Sequence, residues 1–431
     1  MKILLLSLFI LPLTLYAQKH PHPFDEEKFY LDLGILASKK DFFEIRELLI
    51  QNRKLIDSEV YFYYWGLVEN AFSHFRESNE SIESFFEGAD FMNNDTLFKE
   101  ILLIKQLNLV NLFEYKDAYL TNRYILDNFA HVCSEEELLD LANTGLIWKE
   151  LENQEKQQVN ITSDTRIQLS RDKANLANVP VKVSGVTQNF VFDTGANFSV
   201  IQRSLALEMH CDIIPVQFDV TAITGVKVKS DLTVIKELYM GDIKCENVVF
   251  LVFNDKDLTF PEAEYSIQGI VGFPVIRSLN EIHLNKTDEL FIPKTAEEFS
   301  ESNMMISGFV PAVQVRYESD TLQFSFDTGA AETFLNSNYY HKYKRKVERK
   351  GKKKTLKSGG AGGTVEYTGY VLPKVTLSVG NSKATIRDVQ VREESITDTD
   401  TGFDGNLGQD FIKQFSEMVI SFKYSAIRFN P

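Results

Sequence analysis

Hydrophobic positions divide the chain into two parts with different periodicity. Between about residues 26 and 153, apolar residues recur every three to four positions, as the run Ile101–Val110 shows, and glycine and proline are nearly absent from these runs. This spacing predicts amphipathic helices. Approximate hairpin starts near Glu26, Ser58 and Asp95 indicate successive helical hairpins.

The helical part is predicted to form an all-α domain over residues 26–155. The segment Tyr64–Phe72, followed by Phe85, Phe86 and Ala89, is similar to a degenerate tetratricopeptide repeat. An irregular helical bundle accounts for the same spacing. A hairpin repeat would present a surface to a protein partner, whereas a bundle would be a packed accessory domain.

The remainder of the chain has the character of β-structure. Short β-branched or aromatic segments, such as Val248–Phe253 and Gln323–Phe326, are bounded by Gly, Asp and Asn. These segments predict strands, and no long helix is expected among them. The boundary with the helices is placed in the polar stretch Glu152–Asp164.

The β part contains one sequence frame twice. Phe190–Ala196 (FVFDTGA) recurs as Phe324–Ala330 (FSFDTGA). Further markers follow each Asp in the same order: a glycine 32 residues later (Gly225 and Gly359), then Gly-x-x-Gly at 76 and 78 residues (Gly269–Gly272 and Gly405–Gly408). The sequence therefore predicts two lobes of one β-fold, residues 165–297 and 304–431.

The residues after each Asp favour a sharp, hydrogen-bonded loop. Gly195 and Gly329 let the chain turn and direct backbone N–H groups toward the carboxylate. Thr194 and Thr328 offer hydroxyls that can cross-link the two loops if the loops meet. The candidate site is therefore built from two copies of the same loop.

Asp193 and Asp327 are the candidate catalytic residues. Where two such loops meet, the carboxylates stand a few ångströms apart, share one proton and titrate as a unit. The charged member can then act as base toward a bound water, and the protonated member can polarise a carbonyl. This chemistry requires no metal, no cofactor and no covalent nucleophile.

The two triplets Asp193–Gly195 and Asp327–Gly329, each preceded by an apolar strand and followed by Gly-x-x-Gly, resemble the aspartic peptidases. The position after each triplet is alanine, Ala196 and Ala330, which resembles the retroviral-type branch of the family. Pepsin-like enzymes commonly carry Ser or Thr at that position. The resemblance implies the acid-protease fold and a cleft that binds an extended polypeptide. It also implies β-hairpin flaps over the cleft at Thr221–Val228 and Leu356–Tyr367, whose tip glycines, Gly225, Gly359 and Gly360, would bind substrate. The resemblance further implies that Gly269–Phe273 and Gly405–Gln409 pack behind the aspartate loops.

Three other interpretations remain open. A lone Asp-Thr-Gly is usually a turn. The same fold can also serve as a catalytically silent peptide-binding module. Each lobe can pair with a lobe of another chain, although the short linker Pro293–Ser307 favours pairing within one chain.

The first residues predict export. Lys2 precedes an apolar run from Ile3 to Leu15, and Ala17 follows. This pattern is typical of a secretory signal, residues 1–17, cleaved near Ala17, and an uncleaved anchor is the alternative. A periplasmic or extracellular protein that does not span the membrane after cleavage is the expectation.

Charge and cysteine content bear on the possible binding partners and on disulfide pairing. The formal net charge of −15 argues against a nucleic-acid partner. The segment Lys342–Lys357 nevertheless holds ten Lys or Arg against one Glu. This fits either a docking patch for an acidic substrate segment or an anionic surface, or a solvated hairpin. An oxidising compartment would permit a Cys211–Cys245 bridge and leave Cys133 unpaired.

Overall fold

The computed structural model describes residues 24–88, 94–221, 225–360, 363–395 and 402–431. The chain forms two compact units, one that ends at Leu141 and one that spans Ala142–Pro431. The division therefore lies inside a helix, Glu135–Leu151, ahead of the polar stretch in which the sequence placed it. The predicted signal, residues 1–17, lies outside the described residues.

The first unit is helical, as predicted. Several of its helices begin at capping side chains: the Asp25 carboxylate accepts a hydrogen bond from the Lys28 N–H, and Ser134 and Glu137 form a reciprocal capping box with bonds of 3.1 and 2.7 Å. The helices are α1 (Glu26–Ser38), α2 (Phe42–Asn52), α3 (Ser58–Ala71), α4 (Phe75–Gly88), α5 (Asp95–Asn111), α6 (Tyr115–Phe129) and α7 (Glu135–Leu151).

Apolar side chains and a small polar network hold the helical unit together. One buried cluster consists of Leu102, Leu103, Ile125 and Leu141. The buried amide of Asn108 accepts a hydrogen bond from Asn70 at 2.7 Å and donates one to Ser78 at 2.8 Å. None of the helices in the described part of the chain has the length and apolarity that a bilayer crossing needs.

The second unit contains two β-lobes, as predicted. The first lobe contains β1 (Gln158–Asn160), β2 (Thr165–Gln168), β3 (Ser170–Arg171), β4 (Ala177–Val183), β5 (Val186–Phe192), β6 (Ser199–Gln202), α8 (Arg203–Glu208), β7 (Ile213–Thr221), β8 (Lys227–Met240), β9 (Ile243–Phe253), β10 (Thr259–Phe260), β11 (Tyr265–Ser266), β12 (Gly269–Val271), α9 (Phe273–Arg277), β13 (Glu281–Asn285) and β14 (Glu289–Ile292). Its large sheet has the order β1-β9-β6-β12-β5-β4-β8-β7, so β7 lies at an edge.

The second lobe repeats this arrangement. It contains β15 (Met304–Ser307), β16 (Val310–Tyr317), β17 (Asp320–Phe326), β18 (Phe334–Leu335), α10 (Ser337–Lys350), β19 (Lys352–Gly360), β20 (Gly363–Val379), β21 (Ser382–Arg392), β22 (Gly405–Leu407), α11 (Gln409–Ile412), β23 (Glu417–Ser421) and β24 (Ala426–Asn430). Its sheet has the order β15-β16-β17-β22-β18-β21-β20-β19.

A third sheet joins the lobes. Its order is β2-β14-β13-β23-β24, so three strands of the first lobe continue into the last two strands of the second. The junction pairs β13 with β23 from Glu281–Ser421 to Asn285–Glu417. Backbone hydrogen bonds across this junction hold the lobes side by side within one chain.

Two sequence-based expectations need correction. A long helix, kinked at Tyr343, does occur in the β part: the basic segment Lys342–Lys357 begins in α10 and continues into β19, so it is not a simple hairpin. Tyr339, Tyr340 and Val347 are buried along α10, and this apolar face stabilises the helix despite its many cations. The docking role of this segment stays a prediction.

The three cysteines are free thiols. Cys245 is buried within β9 opposite Leu238, whereas Cys211 follows α8 and is partly exposed. The Cys211–Cys245 bridge that the sequence would permit is therefore not formed. Burial raises the pKa of Cys211 to about 11 and that of Cys245 to about 12, so both remain protonated at neutral pH.

Candidate active site

Two equivalent strand ends deliver the two aspartates. The last residues of β5, Phe190–Phe192, are buried, and β5 pairs in parallel with β12. The Asp193 N–H then donates to the Val271 carbonyl at 3.1 Å. In the second lobe β17 pairs in parallel with β22, and the Asp327 N–H donates to Leu407 at 3.0 Å. The duplicated sequence frame is therefore a duplicated structural frame.

The two loops are cross-linked by their threonines. The Thr194 N–H donates to the Thr328 hydroxyl at 3.0 Å, and the Thr328 N–H donates to the Thr194 hydroxyl at 3.0 Å. Each hydroxyl also donates into the opposite lobe: Thr194 to the Phe326 carbonyl at 3.2 Å and Thr328 to the Phe192 carbonyl at 2.7 Å. Both threonines are 0% exposed, so these four bonds form away from water and fix the position of one loop on the other.

Glycine is required in each triplet because the aspartate of the opposite lobe approaches closely. A Cβ on Gly195 would lie 2.6 Å from Cγ of Asp327, and a Cβ on Gly329 would lie 2.2 Å from Cγ of Asp193. Each glycine therefore packs against the carboxylate of the opposite lobe. The same glycines donate backbone N–H bonds to their own aspartates, both at 2.7 Å.

Burial and mutual contact shift the titration of the pair. Burial, followed by the charge of the Asp327 carboxylate, raises the pKa of Asp193 well above its ordinary value. Burial also raises the pKa of Asp327, but a hydrogen bond from Asp193 and backbone N–H groups, including that of Gly329, oppose this rise. Both pKa values are raised, so the two carboxylates share one proton and titrate as a pair.

The Gly-x-x-Gly elements lie directly behind the loops. A Cβ on Gly272 would lie 2.5 Å from the Phe198 carbonyl, and one on Gly408 would lie 2.8 Å from the Ala330 carbonyl. The Gly272 N–H donates to the Ser199 hydroxyl at 3.1 Å, and the Gly408 N–H donates to the Thr333 hydroxyl at 3.0 Å. Matching contacts thus support the loop that carries the aspartate in both lobes.

A cleft of about 580 Å³ opens over the dyad. The second predicted flap lies in the hairpin β19–β20, in which Leu356 pairs with Tyr367, and its glycines Gly359 and Gly360 line the cleft. The first flap is the hairpin β7–β8, and Gly225 in its turn has a positive φ of 77°. Gly225 is not among the described residues that line the cleft; residues 222–224 and 361–362 lie outside the described residues.

The two sides of the cleft differ in polarity. The first lobe contributes mainly apolar side chains: Val191, Phe198, Val200, Phe218, Val220, Leu251, Phe253, Phe260, Ile267 and Ile270. The second lobe contributes a polar chain in which the Tyr367 hydroxyl donates to Gln390 at 2.6 Å and Gln390 donates to Glu332 at 3.2 Å. Nearby, the Arg392 guanidinium lies 3.9 Å from the centre of the Phe334 ring.

Several of these cleft residues have no signal in the sequence. Phe218 and Gln390 occupy ordinary strand positions. Ile147 lies in a helix that the sequence assigns to another domain, yet it also lines the cleft. Only the fold brings these residues to the dyad.

Comparison with known proteins finds the same family model in both lobes. The aspartyl protease family model matches residues 179–275 and 313–411, once in each lobe, which confirms the predicted resemblance. A solved structure of a retropepsin-like aspartic protease from Rickettsia conorii is also similar, with 16% sequence identity and a TM-score of 0.24. That match covers 30% of this chain and 99% of the other. No curated protein matches the sequence.

The threonine cross-link predicts a difference between two conservative variants. Thr328→Val keeps the shape but leaves the Thr194 N–H and the Phe192 carbonyl without their partner, so the free energy of unfolding should fall by about 1–3 kcal/mol. Thr328→Ser keeps the hydroxyl and should retain most of the stability. Urea unfolding of both variants measures the difference, and equal midpoints would show that the hydroxyl does not join the lobes.

Proposed function

Both β-lobes have the sequence signature of aspartyl proteases, and from this premise we propose that the chain is an exported aspartic endopeptidase. The observation that carries the proposal is the partly buried pair Asp193–Asp327, held in a cross-lobe frame and lining a cleft. Such a frame keeps two carboxylates in contact, which creates the shared proton that peptide hydrolysis by an activated water requires.

The pair supplies base and acid at once. The ionised carboxylate of the Asp193–Asp327 pair removes a proton from a water molecule between the two groups, and the water oxygen attacks the scissile carbonyl carbon. The protonated carboxyl of the pair donates its proton toward the carbonyl oxygen as negative charge develops there. Backbone N–H groups from Gly195 and Gly329 hold the carboxylate oxygens in place, so little reorganisation accompanies the transfer.

The cleft favours an extended polypeptide. The hairpin β19–β20 offers backbone groups to a substrate strand, and alternate side chains of that strand enter the pockets beneath it. Phe218 and Phe253 make the first-lobe side suited to large apolar side chains. The polar side chains of Glu332 and Gln390 suit polar residues on the second-lobe side.

Export and partner binding are the remaining parts of the proposal. Export is supported by the sequence of residues 1–17, and periplasmic or extracellular residence follows from it. Both aspartates and their supporting loops come from the β-unit, so we assign the helical unit to recruitment of a protein partner or to regulation.

Removal of either carboxylate is expected to abolish turnover. Asp193→Asn and Asp327→Asn should each lower kcat by about 10³-fold or more, because each variant lacks half of the acid–base pair. Digestion of an unbiased peptide library with the purified mature chain measures this, with Asp242→Asn, an exposed turn residue, as the matched control.

Two outcomes would contradict the proposal. Substantial cleavage by either variant would show that the two aspartates do not form the catalytic pair. A wild-type chain that binds library peptides but never cuts them would favour the silent peptide-binding module.

The raised pKa values predict the position of the pH profile. Activity requires the singly protonated pair, so both limbs of the bell-shaped profile move upward when burial raises the two pKa values. We expect an optimum at weakly acidic to near-neutral pH. Ala196→Ser and Ala330→Ser would add a hydroxyl that stabilises the charged form, so each should lower the optimum. A strongly acidic wild-type optimum that neither substitution moves would show that other groups set the pKa values.

A further inference from the structure

The end of helix α7 belongs to the protease unit, although the sequence assigns it to the helical domain. Trp148 and Leu151 are buried at 2% and 0% exposure. The chain that follows is bonded to the first lobe: Gln154 accepts from Lys236 at 3.1 Å, and Gln157 donates to the Pro274 carbonyl at 3.1 Å. The residues from 142 onward are therefore part of the fold that carries the dyad.

Asn143 on this helix is bonded to the first flap. Its side-chain N–H donates to the Asp219 carbonyl at 2.8 Å, and its side-chain oxygen accepts from the Asp219 N–H at 2.8 Å. The side-chain amide thus makes the same two bonds that the backbone of a neighbouring strand would make. Because β7 lies at the edge of its sheet, this contact satisfies backbone groups that strand pairing leaves open.

The bonded residue lies between cleft-lining positions. Phe218 and Val220, on either side of Asp219, both face the cleft. Just before them the strand bulges, and the buried Asp231 carboxylate accepts the N–H groups of Val216 and Gln217 at 3.0 and 3.1 Å. The flap is therefore fixed at its bulge by its own hairpin and at its outer edge by α7.

The next turn of the same helix reaches the cleft. Ile147 lines it beside Phe218 and Phe198. Trp148 packs on Phe198 with ring centroids 6.2 Å apart, and Phe198 follows the catalytic loop two positions after Ala196. One helical turn therefore contacts both the loop that carries Asp193 and the space that a substrate side chain would enter.

We propose that the C-terminal part of α7 is a built-in component of the substrate cleft. Asn143 is a positioning residue that holds the first flap in its substrate-binding conformation. Ile147 is a specificity residue that closes the apolar pocket on the first-lobe side and limits the size of the side chain accepted there. The inference rests on the proposed peptidase function for its kinetic consequences, but not for its structural ones.

The full chain with Asn143→Ala tests the flap contact. Loss of both bonds to Asp219 should raise KM about tenfold with kcat within about threefold, because the flap acts in binding more than in chemistry. Hydrogen exchange should accelerate only in residues 213–228. Asn128→Ala, an exposed asparagine on α6, is the matched control and should match the wild type in both measurements.

Each result decides between a positioning role and a general structural one. Unchanged KM and unchanged exchange in residues 213–228 would overturn the role of Asn143. Faster exchange throughout residues 142–431 would also overturn it, since it would show general destabilisation. The exchange measurement needs no catalysis, so it tests the contact even if the wild-type chain proves unable to cut peptides.

Ile147→Ala tests the pocket. The enlarged pocket should increase the ratio of kcat/KM for peptides with Phe or Trp over those with Val at the affected position by about tenfold. Leu146→Ala removes an exposed leucine, 44% accessible, from the same helix and should leave the cleavage profile unchanged. Identical profiles for Ile147→Ala and the wild type would overturn the specificity role.

Discussion

The site depends on one contact, the exchange of hydrogen bonds between Thr194 and Thr328. Each threonine accepts the N–H of the other and donates to a carbonyl of the opposite lobe. This contact sets the separation of the loops. It brings Asp193 and Asp327 within hydrogen-bonding reach, and it requires glycine at positions 195 and 329 because no Cβ fits against the facing carboxylate.

The electrostatics of the site follow from that geometry. Two carboxylates in contact, both partly removed from water, cannot easily ionise together, so their pKa values rise and one proton stays with the pair. Backbone N–H groups stabilise the remaining charge. The fold thus maintains a reactive protonation state that an isolated pair of exposed aspartates would lose at neutral pH.

Much of this site could be predicted from the sequence because its determinants are local and duplicated. The run Phe190–Ala196 contains the buried strand end, the Asp, the hydroxyl and the glycine, and Phe324–Ala330 repeats all four. The flap glycines Gly359 and Gly360 follow from the same register. Local pattern was sufficient wherever one short segment performs one task.

The rest could not be predicted because it arises from contacts between distant segments. Asn143 lies on an ordinary helix, and only the fold places its amide against Asp219, 76 residues further along the chain. The same limit applies to α10, whose apolar face is obscured by its lysines and arginines, and to Ile147, which periodicity assigns to a helical core. Ile147 lines the cleft and Asn143 is bonded to a strand that lines it, so both bear on the shape of the cleft rather than on its chemistry.

Mixing of two inactive chains tests the central claim most directly. If one chain contains a complete dyad, then combining Asp193→Asn with Asp327→Asn restores no peptide cleavage, because the linked lobes of each chain have a high effective concentration for each other. An equimolar mixture is incubated under native conditions, and its peptide cleavage is compared with that of the wild-type chain. The mixture should remain as inactive as each variant alone. Recovery of about a quarter of wild-type activity, the share expected from random exchange of lobes, would contradict the account.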